Sequence, residues 1–277
     1  MLLAAVLFQA SLAASTFAPP TDAPLRIVTD RTETSADKRH YRLQRLVRFS
    51  REATGYRAEV LVLGSTSDAP QALGNLVERG LATLEGGRIV FHLDAKAQIV
   101  AIDDMAALWE RVCRGVADAA AAQPEGTGLA AKLAATLRAL PPERQRALLA
   151  TLVTAIVSTE PLDSVGTVTS VKLPGTSPFG APVTLDGTRR TVAAENGLLR
   201  TTTIASATVA LLAQGDAPGT SGTVSLERVR TFDPRTGLIT SGLDTTRHVT
   251  RSGPAGRETL LVTRLSVERA GPSDWPN

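Results

Sequence analysis

RHYRLQRLVRFSRE, residues 39–52, is the stretch on which the reading of this chain turns. Five of its fourteen residues are arginine. Arg39, Arg42 and Arg45 recur every three residues, so a helix would align them as a basic stripe of the kind that lies on nucleic acid or an anionic membrane. At the two-residue period of a strand, Tyr41, Leu43, Val47 and Phe49 share one face instead. Arg42 and Arg48 then fall with Gln44 on the opposite face, and Arg45 falls with the apolar set. The neighbouring residues decide between the two. YRAEVLVLG, residues 56–64, is rich in Val and Leu, ends at Gly and reads as a strand that needs a partner. The link EATG places Gly55 where a tight hairpin loop requires it. The arginine-rich stretch is therefore read as one strand of a wet-faced hairpin, with Tyr41, Leu43, Val47 and Phe49 inward.

The same two-residue logic extends along the chain. LRIVTD (25–30) reads as a short strand and GRIVFHLDAKAQIVAID (87–103) as a hairpin. A short helix is expected over 70–84, where Leu73, Leu76, Val77 and Leu81 recur at three- and four-residue steps. From Asp103 the period becomes helical: Met105, Leu108, Trp109, Val112, Cys113 and Val116, with Asp103 or Asp104 as the expected cap. QPEGTG breaks this helix, a second is expected over 129–140, and PPE starts a third over 143–157. Beyond it come six Thr- and Val-rich runs separated by PGTSPFGAP, ENG, AQGDAPGTS, DPRTG and SGPAG, which is turn chemistry. In the last run Leu261, Thr263, Leu265 and Val267 face one way and Arg264, Ser266 and Glu268 the other, the pattern of an antiparallel meander with one wet face. The expected fold is α+β: a large, mostly antiparallel sheet, a meander opening into a half-barrel, with a three-helix segment packed on one face. A signal peptide over 1–13, a Pro-rich tail over 14–24 and a single domain over 25–277, with its helical insert at about 103–158, complete the expected organisation. HLDAKAQIV and TFDPRTGLI echo each other, an echo that Asp-opened hairpin turns explain.

Composition narrows the function classes. At 43% hydrophobic and 21% charged, the 277 residues can bury a sizeable core. The net charge of +3 lacks the concentrated surplus of a nucleic-acid binder, and 4% aromatics leave few stacking platforms, so no nucleic-acid partner is expected. One cysteine makes neither an internal disulfide nor a zinc site. An apolar run from Leu2 to Phe8, with Ser11 and Ala13 set for cleavage before Ala14, reads as an export signal, and a periplasmic or secreted protein is expected. No other apolar run approaches the roughly 20 residues that span a bilayer.

The sequence offers little chemistry. There is no G-x-S-x-G pentapeptide, and Ser177 and Ser221 are loop serines. Ser35 and Lys38 match S-x-x-K without its companion motifs. Gly126-Thr-Gly128 resembles a dinucleotide loop but follows a helix rather than a strand, and reads as a helix break. His40, His92 and His248 lie on separate strand runs, where Glu59 or Asp244 would have to complete a metal site. Cys113 falls on an apolar helical stripe, as a buried, inert thiol does. No catalytic, metal or cofactor residue is assigned. One surface feature stands out. Nine basic and four acidic residues lie between positions 26 and 57, a larger excess than the whole chain carries. Arg42, Arg45, Arg48 and Arg51 are the candidate surface for an anionic lipid or envelope partner. The plainer alternative is a wet strand face whose arginine stems cover apolar neighbours.

The order of elements, a long meander, a helical excursion and then hairpins that include FDPRTGLI, resembles the half-barrel shells of the periplasmic lipoprotein-carrier group and of other exported bacterial β-rich families. In the carrier group an apolar concave face holds acyl chains, so the resemblance implies a non-catalytic protein that binds an apolar, amphipathic or lipid-like ligand. The sequence departs from that group in its long helical middle and scarce aromatics. A hydrolase drawing on loop residues is the alternative.

Overall fold

The computed structural model describes residues 17–36, 38–68, 76–122, 126–157, 163–211, 220–252 and 255–276. The segment read as a signal peptide and the first half of the expected 70–84 helix lie outside the described residues. The architecture is the expected α+β one, built on a single antiparallel sheet of eleven strands. The first five are β1 (Leu25–Thr34), β2 (Lys38–Glu52), β3 (Gly55–Ser67), β4 (Arg88–Asp94) and β5 (Ile99–Ile102). The other six are β6 (Val168–Thr176), β7 (Pro182–Ala193), β8 (Leu199–Leu211), β9 (Thr220–Asp233), β10 (Leu238–Ser252) and β11 (Ala255–Arg269). They lie in the order β5-β4-β3-β2-β1-β11-β10-β9-β8-β7-β6, and the sheet does not close. At its middle β1 and β11 pair, so Leu25 stands opposite Arg269. Among the described residues four α-helices, α1 (Leu76–Ala82), α2 (Met105–Ala121), α3 (Gly126–Arg138) and α4 (Pro142–Thr154), accompany the sheet.

The hairpin of β2 and β3 forms as expected, with Phe49 opposite Ala58 and Val47 opposite Val60. One bulge interrupts it. Gln44 faces Gly64 and Arg45 faces Val62, so Leu63 is the extra residue that keeps both apolar sets on one face. That face packs against helices. Leu108, Val112 and Cys113 of α2 and Leu149, Leu152 and Val153 of α4 join Leu43, Val47, Phe49, Val60 and Phe91 in the principal core. Each such fully buried side chain contributes about 1.5–3 kcal/mol of hydrophobic stabilisation. α3 rests on α2 rather than on the sheet: Trp109 Nε1 donates to the Leu137 carbonyl at 3.2 Å, and Arg138 pairs with Glu110 at 2.7 Å. α1 crosses α2 through two glycines. A Cβ on Gly115 would meet the Thr83 methyl at 2.2 Å, and one on Gly80 would meet Val116 at 2.7 Å.

Three local expectations change. Asp104 precedes α2 in a left-handed conformation, φ 51°, and makes no side-chain cap, while the Asp103 carboxylate is taken by His92 at 3.0 Å. Gly126 to Gly128 open α3 instead of breaking a helix. The Pro-rich segment is anchored: Phe17 is buried, edge-on to Phe49 and Tyr56 with ring centroids 5.8 and 5.1 Å away. The opposite, outer face of β2 and β3 is covered by the chain's end, where Trp275 packs with Leu46 and Leu61.

Candidate ligand-binding face

The helix-bearing face changes character across the sheet. In β1 to β5 it is the apolar core just described. In β6 to β9 it carries a second cluster made from strands alone: Leu185, Ala205, Val224 and Leu226, with Leu173, Val183 and Ala207 partly buried beside it. Ser177 is buried and its Oγ accepts from the amides of Phe179, at 3.3 Å, and Ala181, at 3.1 Å. It shapes the β6–β7 loop, which folds back far enough for the Phe179 ring to lie against Gly222 on β9.

A polar row runs between the two apolar regions. Residues directly opposite one another on antiparallel strands point to the same face, so the register defines the row. From β1 to β7 it reads Arg31, Thr263, Asp244, Arg228, Thr203, Arg189. Tyr41 on β2 and Ser67 on β3 extend it one way and Thr169 on β6 the other. The next row toward the β9–β10 turn adds Arg230, opposite Gly242 and Thr201. On the other side the neighbours are Leu261, Thr246 and Leu226, then His248 and Val224. At its β3 end the row opens into a cleft of about 490 Å³ between the sheet and α1–α2, lined by Tyr41, Ser65, Ser67, Arg79, Thr83 and Asp118.

Asp244 is the electrostatic centre. Its Oδ2 accepts from Arg230 Nη2 at 2.6 Å and from Arg228 Nε at 3.3 Å. Its Oδ1 is buried and has no hydrogen-bond partner among the described residues. The three side chains retain 20–29% exposure, so the centre is half-buried. Gly242 makes room for Arg230: a Cβ there would lie 3.0 Å from its Nη1. Further along, Arg189 Nε donates to Asp163 at 2.6 Å, and this bond holds the Asp163 carboxyl below its ordinary pKa despite burial. The arrangement sets paired cations and a carboxylate beside a buried apolar cluster.

The candidate arginine surface comes apart, for a geometric reason: residues three apart on a strand point to opposite faces. Arg42 and Arg48 lie on the outer face. Arg42 is 3.8 Å from Asp30, and Arg48 is bound to Glu59 at 2.5 Å with its guanidinium 4.7 Å from the Trp275 ring centre. Arg51 is at the exposed end of the β2–β3 hairpin, over the Tyr56 ring at 5.4 Å. Arg45 is 1% exposed on the helix-bearing face and cannot belong to any surface. Its Nε donates to the Leu152 carbonyl in the last turn of α4 at 2.7 Å, and its Nη1 to Thr29 Oγ1 at 3.1 Å. It satisfies a helix-end carbonyl that has no partner within the helix, and places positive charge at the negative end of the helix dipole. Burial lowers its pKa to about 10.

The other candidates stay apart as well. His40 lies 3.2 Å from Asp30, and His92 bridges Glu52 and Asp103 at 2.9 and 3.0 Å. His248 stands on the helix-bearing face opposite Val224. No metal-competent cluster forms among the described residues. Glu59 is held by Arg48 and Arg57. Cys113 is buried, and burial raises its thiol pKa. No helix among the described residues is long and apolar enough to cross a membrane.

The Arg228–Asp244–Arg230 centre is the feature that reading the sequence missed. A signal for it exists in SLERVRTF, where two arginines two residues apart share a strand face with Leu226 and Phe232. No protein-family model matches this chain, and a search of the curated proteins found none similar to it, so the site stands on its geometry.

Proposed function

We propose that the protein is a non-catalytic binding protein that receives an amphipathic ligand on the helix-bearing face of β7 to β11. One observation carries this reading. The half-buried centre of Arg228, Arg230 and Asp244 shares a sheet face with the half-buried Thr246 and Leu261, beside the buried cluster of Leu226 and Val224 that contains no helix residue. Binding sites of this kind pair an apolar lining with a few placed polar groups that orient the ligand. A wholly apolar occupant fits poorly, because covering the partly exposed Arg–Asp pairs strips them of water without replacing it. The acyl-chain occupancy implied by the carrier resemblance is therefore narrowed to a ligand with a polar head. An envelope location is part of the proposal, supported by the apolar run of residues 2–8. Amino-terminal sequencing of the mature protein from fractionated cells tests that part.

The ligand is tested by mass spectrometry of extracts of natively purified protein, and by thermal shift with oleate and lysophospholipids. We expect a co-purifying amphiphile and a raised Tm. In Arg228→Ala and Arg230→Ala we expect affinity to fall about tenfold, the effect of losing one charge-assisted hydrogen bond. Protein that carries no amphiphile and shows no shift with any of them would sink the proposal.

A further inference from the structure

The outer face of the sheet is covered unevenly. Over β2 and β3 the chain's end packs on it through Trp275. From β6 to β11 strand register defines a row across the same face: Val168, Arg190, Thr202, Val229, Leu243, Arg264. In the next row Ile204 stands opposite Thr188 and Glu227, and Val262 opposite Thr245. Val168 is 64% exposed, Ile204 57% and Leu243 37%. Singly such exposure is ordinary. Here Ile204 and Leu243 flank the half-buried Val229 from the strands on either side, so an apolar centre forms across β8 to β10.

Cations frame that centre. Arg190 on β7 and Arg264 on β11 stand either side of it, four strand spacings or roughly 19 Å apart. Arg200 lies two residues from Thr202, on the same face of β8. All three are exposed, and none makes an ion pair among the described residues. Glu227 is the one carboxylate in the two rows between β6 and β11. The partner must therefore be anionic and must offer hydrocarbon to the centre. A second copy of this face fits poorly, because it would set unpaired arginines against each other. The short side chains of Thr188, Thr202 and Thr245 leave little relief, which suits a deformable surface better than the fixed knobs of a folded partner.

We infer that the outer face of β7 to β11 docks on an anionic lipid bilayer. Ile204, Val229 and Leu243 enter the boundary between head groups and acyl chains, and Arg190, Arg200 and Arg264 meet the phosphates. Sheet twist turns each strand by roughly 20° from the next, and the long arginine stems bridge the gap this opens at the flanks. The surface lies on the opposite side of the sheet from the Arg228–Asp244–Arg230 centre and does not rest on the ligand proposed there.

The test is co-sedimentation of the full protein with phosphatidylcholine vesicles, with and without added phosphatidylglycerol. Binding is expected to the phosphatidylglycerol vesicles, not to phosphatidylcholine alone, and should weaken as salt rises. Arg190→Gln and Arg264→Gln should each weaken it about fivefold, the worth of one cation near an anionic surface. Arg144→Gln removes the same charge from an exposed position on α4 and should leave binding unchanged. The double change Ile204→Thr with Leu243→Thr keeps good strand formers and should weaken binding at least about fivefold. Circular dichroism and Tm establish that each variant is folded. No binding to phosphatidylglycerol vesicles, or binding that ignores salt, overturns the inference. Equal losses in Arg144→Gln and Arg190→Gln assign the attraction to net charge and overturn the surface. Polyglutamate that retains the protein as well as the vesicles do overturns the bilayer as partner, and so does full binding by the double Thr variant. All of these outcomes leave the amphipathic-ligand proposal to its own test.

Discussion

Arg45 sits mid-strand in β2 with its guanidinium under the last turn of α4. Its removal leaves the Leu152 carbonyl buried without a donor and, for the smaller replacement, a cavity. Arg45→Met should cost about 1–3 kcal/mol, the desolvation penalty of an orphaned polar group. Arg45→Ala should cost about 3–5 kcal/mol, because truncation adds the cavity. Urea midpoints at constant m-value check both. His92 sets a pH dependence. The hydrogen bond to Glu52, opposed in part by burial and reinforced by the bond to Asp103, raises its pKa above 6.5. Protonation therefore favours the folded state. The stabilisation is complete below the unfolded imidazole value and fades as pH climbs through the raised folded one. His92→Ala should flatten the decline of Tm with pH above about 6.5. The two residues differ in legibility. The strand period placed Arg45 on the inward face, yet the carbonyl it meets lies 107 residues away in sequence, and no local pattern encodes that partner.

At the scale of elements, the crossing of α1 over α2 depends on the absence of side chains. Gly115→Ala drives a methyl into Thr83 Cγ2, and overpacking of this kind costs about 1–3 kcal/mol. Thr83→Ser removes the obstructing methyl and keeps the hydroxyl that bonds the Gly80 carbonyl. A double-mutant cycle should show the pair less destabilised than the sum of the single changes. If the two effects add, the crossing is looser than described. Strands and helices were largely legible because each carries its own period. The two Asp-opened turns were legible too, with Asp94 Oδ1 accepting from the amides of Lys96 and Gln98 and Asp233 Oδ1 from that of Arg235. The α2 cap was not: two adjacent aspartates signal a helix start equally well, yet Asp104 makes no side-chain cap and the Asp103 carboxylate is taken by His92 of β4.

For the whole molecule, one sheet and one principal core built from both ends of the chain predict that it unfolds as a unit. Calorimetry should give a single transition whose van't Hoff and calorimetric enthalpies agree. Two resolved transitions would mean that β6 to β10 melt separately. The class of fold could be read from the order of periodic runs. The polar row could not, because it exists only through eight successive strand registers, and one of them joins the first strand to the last.

That central pairing has a kinetic consequence. A chain lengthening from its amino terminus can build β1 to β5 as one block and β6 to β10 as another, but the strand that joins them is made last. Until β11 arrives, β1 and β10 each present an unpaired edge in addition to those of β5 and β6. Bringing β11 beside β1 closes a loop of well over two hundred residues, a high-contact-order step that is intrinsically slow. A chain truncated before β11 should therefore hold two sheets with sticky inner borders and should aggregate. Here the aggregation hazard lies in the time before the middle of the sheet is filled.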